Sequence, residues 1–167
     1  MRQTGEHYPR LPLPERGSID DLVAFQRWLE QAIPQVEHLG ISAMRWEGGI
    51  LTWQLSLEAS LNDKGTGFGG ALASQSALIG WCWATLWLRS LGRNQDVVIA
   101  EASQRFRAPV RGDYRFVCRP LDEYSAPTLA QRLDERGKGR ITLVQHLYCD
   151  ETHCMEACGD YVILPGQ

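Results

Sequence analysis

The sequence predicts an α+β fold in which a curved, mostly antiparallel sheet wraps around one long helix. The stretch from Gly69 to Leu88 carries no charge and is apolar on nearly every side of a helix. Six stretches with strand-like patterns lie before and after it along the chain. The length of 167 residues, with 44% of them apolar and six tryptophans, suits one domain with a large core.

Composition and charge restrict the classes of partner. A net charge of -3 gives no general reason to expect nucleic acid or an anionic membrane as a partner. Residues 1–17 contain no apolar segment typical of a secretory signal. Five cysteines are an odd number without a disulfide framework, which indicates a reducing compartment. We therefore expect a cytoplasmic protein.

The beginning of the chain predicts an arm followed by a helix. Residues 1–17 carry three prolines and predict an extended arm or disordered tail ahead of a single domain at residues 18–167. The helix is predicted to begin at Ser18, with Asp21 in the capping-box position, and to end at Pro34. One apolar stripe runs along this helix and indicates that it packs on the domain: Leu22, Phe25, Leu29, Ala32 and Ile33.

Strand patterns occur in two groups. Residues 41–46 and 50–58 predict a β-hairpin around a turn at 47–49. Alternate residues of its second strand face one side: Leu51, Trp53, Leu55 and Leu57. Four more strands are predicted after Gly92, at residues 97–109, 114–119, 140–149 and 155–164.

Short connections complete this second group. Residues 111–113 predict a tight turn between the first two strands, and residues 150–153 a turn between the last two. A short helix from Ser125, its predicted N-cap, to about Lys138 separates the two pairs.

The long helix could be buried by protein or by a membrane. Its apolar run is only about 18 residues, the lower limit for a membrane span. Polar or small residues interrupt the run, and no second span follows: Ser74, Gln75, Ser76 and Gly80. Burial by the sheet is the better interpretation.

The loop at residues 61–70, LNDKGTGFGG, is the predicted place of chemistry. A glycine-rich loop that leads into a helix leaves several backbone N–H groups unpaired at the helix N-terminus. Such groups can bind an anion, or a carbonyl oxygen that gains charge during a reaction. Asn62, Asp63, Lys64 and Thr66 bring polar side chains to the same loop.

Together these features resemble a hotdog domain. The pattern is two strands, a glycine-rich loop, a long buried helix and a strand that ends in Arg105-Phe106-Arg107-Ala108-Pro109-Val110. More narrowly, the chain is similar to the putative thioesterase family typified by the C-terminal domain of YiiD, over roughly residues 18–165. The residues that carry this similarity are Asn62, Gly65-Thr66, Phe68-Gly69-Gly70, Gly80-Trp81, Val98-Ile99-Ala100, Phe106 and Gly159-Asp160-Tyr161-Val162.

The resemblance implies a substrate and an assembly. Hotdog thioesterases hydrolyse acyl thioesters of coenzyme A or acyl carrier protein, usually as homodimers or dimers of dimers with sites between subunits. The resemblance implies no cofactor beyond the coenzyme A of the substrate. Carried over by position, Phe68, Gly69 and Gly70 supply the N–H donors at the thioester carbonyl.

This chain differs from the better-known subfamilies in the residues expected to supply the catalytic carboxylate. These have His-Gly-Gly where this chain has Phe68-Gly69-Gly70, and an acid two turns into the helix that this chain lacks. Asp63 is the remaining carboxylate in reach, as general base on water or as nucleophile. Asn62 is a candidate to orient the water, and Thr66 to contact substrate. The alternative is that Asn62 and Asp63 only make turn bonds within the loop.

Two arginines are candidates for the carrier end of the substrate. Arg105 and Arg107 share one face of a strand, and guanidinium groups suit phosphates of coenzyme A or an acidic carrier protein. The alternative is that they pair with Glu101 or Glu58 across the sheet.

The sequence also bears on a metal site and on two alternative functions. No metal is expected, because the cluster near the C-terminus lacks a CxxC motif and strand alternation sends His146 and Cys149 to opposite faces. The members of this cluster are His146, Cys149, His153, Cys154 and Cys158. A non-catalytic acyl-thioester-binding domain is favoured by the missing helix carboxylate. A hotdog dehydratase or isomerase is disfavoured, because such enzymes use a histidine near the helix and none lies between His38 and His146.

Overall fold

The described part of the chain forms three α-helices and six strands in the predicted order. The computed structural model describes residues 2–167, and Met1, part of the predicted arm, lies outside the described residues. The α-helices are α1 (Leu22–Ala32), α2 (Gly69–Ser90) and α3 (Ser125–Arg136), and short 3-10 helices cover Pro34–His38 and Glu58–Ser60. The strands are β1 (Ile41–Glu47), β2 (Ile50–Leu55), β3 (Val97–Phe106), β4 (Tyr114–Pro120), β5 (Gly139–Cys149) and β6 (Thr152–Ile163).

The strands form one antiparallel sheet in the order β1-β2-β4-β5-β6-β3. This order contradicts the predicted tight turn between β3 and β4, because β3 lies at one edge beside β6 while β4 lies between β2 and β5. Residues 107–113 are instead a crossover. Val110, at 1% exposure, is buried in it, and its carbonyl oxygen accepts a hydrogen bond of 2.9 Å from the Gly67 N–H.

The sheet wraps around α2, as predicted. Ile79, Trp83 and Leu86 of this helix are buried against the sheet, and half of the 22 residues of α2 are buried in all. The alternation in β2 is confirmed as well, since Leu51, Trp53 and Leu55 are buried. The strand ends at Leu55, short of the predicted residue 58, and Leu57 is buried at the start of the following 3-10 helix. Among the residues described, none of the helices combines the length and the hydropathy that crossing a bilayer requires.

Two helix starts differ from the prediction. Helix α1 is capped by Asp21 and not by Ser18, because one Asp21 carboxylate oxygen accepts hydrogen bonds from the N–H groups of Val23 and Ala24. In α3, Ser125 lies inside the first turn, and Asp122 satisfies the free N–H of Ser125 at 3.0 Å. An aspartate carboxylate accepts more hydrogen bonds than a serine hydroxyl, and its charge suits a helix N-terminus.

The arm packs against the end of α2. The Trp28 indole donates to the Pro9 carbonyl at 2.8 Å, and the Arg89 guanidinium donates to the carbonyl of Pro12 at 2.7 Å. Arg89 also pairs with Asp20 at 3.0 Å, with both side chains 6% exposed. The division into an arm at 1–17 and a single domain at 18–167 stays a prediction.

Candidate active site

The loop before α2 is closed by its own hydrogen bonds. A β-bridge joins Leu61 to Gly67, so residues 62–66 form a short excursion. The Asn62 side-chain oxygen accepts from the N–H groups of Lys64 and Thr66 at 2.9 and 3.0 Å, and its amide nitrogen donates to the Thr66 hydroxyl at 2.9 Å. Both ends of the Asn62 amide and the Thr66 hydroxyl are therefore engaged inside the loop. Their roles towards a water or a substrate stay predictions.

Asp63 lies at the tip of this excursion. Its side chain is 81% exposed, and its carboxylate lies 2.8 Å from the Lys64 ammonium group. Gly65, with φ of +73°, provides the left-handed turn that returns the chain towards α2. The carboxylate is free to meet a substrate or a second protein chain, since nothing within residues 2–167 covers it.

Helix α2 begins without a side-chain cap. Phe68 is the N-cap residue, and its own N–H donates to the Ser60 carbonyl at 2.7 Å. Phe68 is therefore not a donor to substrate, contrary to the prediction. Within residues 2–167, the N–H groups of Gly69, Gly70 and Ala71 have no hydrogen-bond acceptor. Ala71 is a donor that the sequence analysis missed, although it follows from a helix that starts at Gly69.

Two phenyl rings flank these free N–H groups. Phe68 and Phe106 are each 54% exposed. A Cβ atom at Gly70 would lie 2.7 Å from the Phe68 ring, and one at Gly69 would lie 3.7 Å from the Phe106 ring. The rings therefore lie directly against the backbone of the glycines. The helix N-terminus offers polar donors within an apolar rim.

The two predicted arginines lie on the other face of β3. Phe106 faces α2, so alternation turns Arg105 and Arg107 to the outer face of the sheet. Their partner is Glu156 of β6, in place of the predicted Glu101 or Glu58. The Glu156 carboxylate lies 2.7 Å from the Arg107 guanidinium and 3.7 Å from that of Arg105. The hydrogen bond from Arg107 lowers the pKa of Glu156. In this structure the arginines do not converge with the loop.

A family model described as "Putative thioesterase (yiiD_Cterm)" matches residues 22–165 of this chain. The chain belongs to this family. The match spans every element from α1 to β6, including the loop and the free N-terminus of α2. The predicted family is thereby confirmed.

Solved structures of similar proteins support this thioesterase family assignment. A protein from Shewanella oneidensis described as a putative thioesterase is 27% identical, with a TM-score of 0.76 over 86% of this chain and 97% of that chain. A protein of unknown function from Chlorobaculum tepidum is 25% identical, with a TM-score of 0.78 over 86% and 94%. A thioesterase from Haemophilus influenzae, at 14% identity and a TM-score of 0.71, shares the fold over 90% and 94%. The predicted hotdog fold is confirmed.

A buried polar network anchors the loop before α2 to the sheet. The Tyr114 hydroxyl donates to the Gln75 side-chain oxygen at 2.8 Å, and the Gln75 amide donates to the Ser60 hydroxyl at 3.2 Å. Burial raises the pKa of Tyr114, so its hydroxyl keeps the proton it donates. The Ser60 carbonyl in turn accepts the Phe68 N–H. The network thus fixes where α2 begins. Alternation marked Tyr114 only as a strand residue, and its partner could not be found from sequence.

Proposed function

We propose that this protein hydrolyses an acyl thioester of coenzyme A or acyl carrier protein. One observation carries the proposal: in a chain of the putative thioesterase family, the N–H groups of Gly69, Gly70 and Ala71 at the start of α2 have no acceptor among the described residues. Attack on a thioester carbonyl places negative charge on its oxygen. Fixed N–H donors at a helix N-terminus stabilise that charge more than they stabilise the neutral carbonyl.

Water is the proposed nucleophile, with Asp63 as its general base. The carboxylate takes a proton as the water oxygen bonds to the carbonyl carbon and the oxyanion forms. When the oxyanion collapses, the carbon–sulfur bond breaks, and the thiolate leaves and takes the proton. Asp63 is 81% exposed in the protomer, so we propose that substrate or a second copy of the chain covers it during catalysis.

A homodimer through β3 is part of the proposal. This ten-residue strand is an edge of the sheet, and Val98, Ile99 and Phe106 are 42%, 43% and 54% exposed on it. An unpaired edge with apolar side chains is a template for another strand. Two-fold antiparallel pairing would put the start of one β3 opposite the end of the other.

Such pairing suggests where the acyl chain binds. A mostly apolar cavity of about 360 Å³ lies at the start of β3, with Trp28, Trp81 and Val98 among its lining residues. In the proposed dimer this cavity of one copy approaches Phe106 and Gly69 of the other. The acyl chain would then enter the second copy while its thioester meets the N–H groups of the first. The proposed site is shared between subunits.

The arginines are proposed to hold the carrier end of the substrate. Arg105 is 73% exposed and lies 3.7 Å from Glu156, so most of its N–H donors are available to a phosphate. No cofactor beyond the coenzyme A of the substrate is proposed. All five cysteines are free thiols, which suits our proposal of a cytoplasmic location.

Release of free thiol from a panel of acyl-CoA and acyl carrier protein thioesters tests this function. We expect the purified protein to release thiol from some members of the panel well above the uncatalysed rate. Tight binding of acyl-CoA without thiol release would contradict hydrolysis and indicate a non-catalytic binding domain. Conversion of a carrier-bound acyl chain with its thioester intact would indicate a dehydratase or isomerase.

A further inference from the structure

Two histidines and a glutamate meet on the outer face of the sheet. One potential ligand atom from each of His146, His153 and Glu156 lies within 4.8 Å of the other two. The His146 Nδ1 and His153 Nε2 atoms are 3.0 Å apart. The sequence analysis expected no metal because it grouped these histidines with three cysteines, a set without a CxxC motif and with His146 and Cys149 on opposite faces of a strand. The group in the structure contains Glu156 and none of the cysteines.

A β-bulge creates this arrangement. His153 and Glu156 are three positions apart, so a regular strand would send their side chains to opposite faces. The pairing of β5 with β6 shifts here, because Leu147 pairs with Met155 while Tyr148 pairs with His153. Cys154 is the extra residue, and it is buried together with Met155. The bulge therefore turns His153 onto the face that carries Glu156 and, across the ladder, His146.

We propose that His146, His153 and Glu156 bind one divalent transition-metal ion of the Zn²⁺ type. Two imidazole nitrogens and one carboxylate oxygen are a ligand set that Zn²⁺ accepts, with a fourth position open to water. Tetrahedral zinc with bonds of about 2.0–2.1 Å separates its ligand atoms by roughly 3.3 Å. The observed separations reach this geometry through small side-chain rotations.

The neighbours of the group hold its orientation. The Tyr148 ring stacks on His153 at 5.0 Å between centroids, and the Arg115 guanidinium lies 4.8 Å from the Tyr148 centroid. On Glu156, the contacts to Arg105 and Arg107 both use Oε1, which leaves Oε2 for a metal ion. The outer-shell contacts of metal ligands commonly fix their orientation in this way.

Metal titration of the full-length protein tests the proposal. The protein is first dialysed against a chelator and then titrated with Zn²⁺ by calorimetry and with Co²⁺ by absorption spectroscopy. We expect one ion per chain and a Co²⁺ spectrum of nitrogen and oxygen ligands without a sulfur-to-cobalt charge-transfer band. This result is independent of thioester hydrolysis, because no step of that reaction involves these residues.

Matched variants separate this site from other metal ligands. His146→Gln and His153→Gln should each weaken Zn²⁺ binding by at least about 100-fold, because losing a ligand costs no less than losing an outer-shell contact, for which 10–100-fold is typical. His38→Gln should leave it unchanged, because His38 is 79% exposed and lies beside Glu37 in the Pro34–His38 turn. Cys149→Ser with Cys158→Ser should also retain binding.

Three results would overturn the metal site. These are no stoichiometric Zn²⁺ binding to the wild type, unchanged affinity in both site-histidine variants, or loss of binding in the cysteine variant. Thermal unfolding without metal shows that each variant is folded. The two histidines are tested separately so that one folded variant is enough for a decision.

Discussion

At the scale of single residues, the polar side chains of the loop differ in how many of their atoms are held by hydrogen bonds. Asn62 has both ends of its amide engaged in the loop, so it shapes the turn that was the alternative in the sequence analysis. Asp63 makes an ion pair with Lys64 and is otherwise solvated. These adjacent residues are similar in chemistry, but they differ in how free their side-chain atoms are to contact a substrate. Sequence spacing placed both in the loop, but which one is free depends on three-dimensional contacts.

Replacing Asp63 by asparagine tests the general base. The change keeps size and shape but removes the charge that activates water, so kcat should fall by about 10²–10⁴-fold. KM and the melting temperature should stay near wild type, because the side chain is exposed and the N–H donors remain. Lys64→Ala is the matched control, since it removes the ion-pair partner and leaves the carboxylate. A fall in kcat of less than about fivefold would exclude Asp63 as the base.

Replacing Arg105 and Arg107 together by alanine tests the carrier contacts. We expect a higher KM for acyl-CoA with kcat little changed, because a contact to phosphate is made equally in the ground and transition states. Steady-state kinetics with the same acyl group on N-acetylcysteamine, which has no phosphate, should show no change. An unchanged KM for acyl-CoA would remove the arginines from the substrate site.

At the scale of elements, one close approach fixes α2 against the sheet. The Tyr161 hydroxyl of β6 donates to the Ala77 carbonyl at 2.7 Å. A Cβ atom on Gly80 would lie 2.0 Å from the Tyr161 hydroxyl oxygen, and one on Gly159 would lie 2.7 Å from the Tyr161 ring. The two glycines therefore make room for a buried tyrosine. This contact gives a physical reason for Gly80, Gly159 and Tyr161, three of the residues on which the family resemblance rested.

Gly80→Ala should destabilise the fold through this contact. Overpacking a core costs about 1–3 kcal/mol, and occasionally more. Alanine is favoured over glycine in a helix by about 1 kcal/mol, which is too little to compensate for a 2.0 Å approach. Denaturant unfolding should therefore show a lower free energy of unfolding. Ser74→Ala, at an exposed site on the same helix, should not lower the free energy of unfolding. Equal stability of the two variants would mean that Tyr161 can move aside.

The elements themselves were largely predictable, and their partners were less so. Alternation in β2 and the uncharged length of α2 are local signals, and both predictions were confirmed. The pairing of β3 with β6 is non-local, so residues 111–113 were misread as a tight turn between β3 and β4. Phe68 was misassigned as a donor for the same reason, because its N–H bonds to Ser60, eight positions earlier. Helix caps were misplaced where serine and aspartate competed within three residues.

At the scale of the whole molecule, the exposed edge of the sheet is the feature that a monomer leaves unexplained. Strand β3 has exposed residues along its length from Val98 to Phe106. Natural proteins usually protect such an edge with charge, proline or a covering element. A second copy of the chain would protect it and would bring a cavity next to the start of α2.

Val98→Lys with Ile99→Lys tests the proposed dimer. Both side chains are more than two-fifths exposed in the protomer, so the fold should persist. In the antiparallel pairing the new lysines would lie opposite the Arg105 end of the other copy's β3, and these like charges would repel. Sedimentation at micromolar concentration should show a dimer for the wild type and a monomer for the variant, with loss of thiol release. Val23→Lys on α1, at 70% exposure, is the matched control. A monomeric wild type would contradict this assembly.

The most direct measurement of the central claim compares kcat for thiol release between Gly69→Pro and Gly69→Ala. Proline removes one free N–H but suits the first position of a helix, and the extended Phe68 before it has a φ of -71° and a ψ of 117° that proline tolerates. Alanine keeps the N–H, and its Cβ would meet the Phe106 ring at an ordinary 3.7 Å. If this N–H stabilises the oxyanion, Gly69→Pro should lower kcat by about 10²–10³-fold relative to Gly69→Ala at equal melting temperature. Equal kcat in the two folded variants would show that the Gly69 N–H at the start of α2 does not bind the reacting carbonyl.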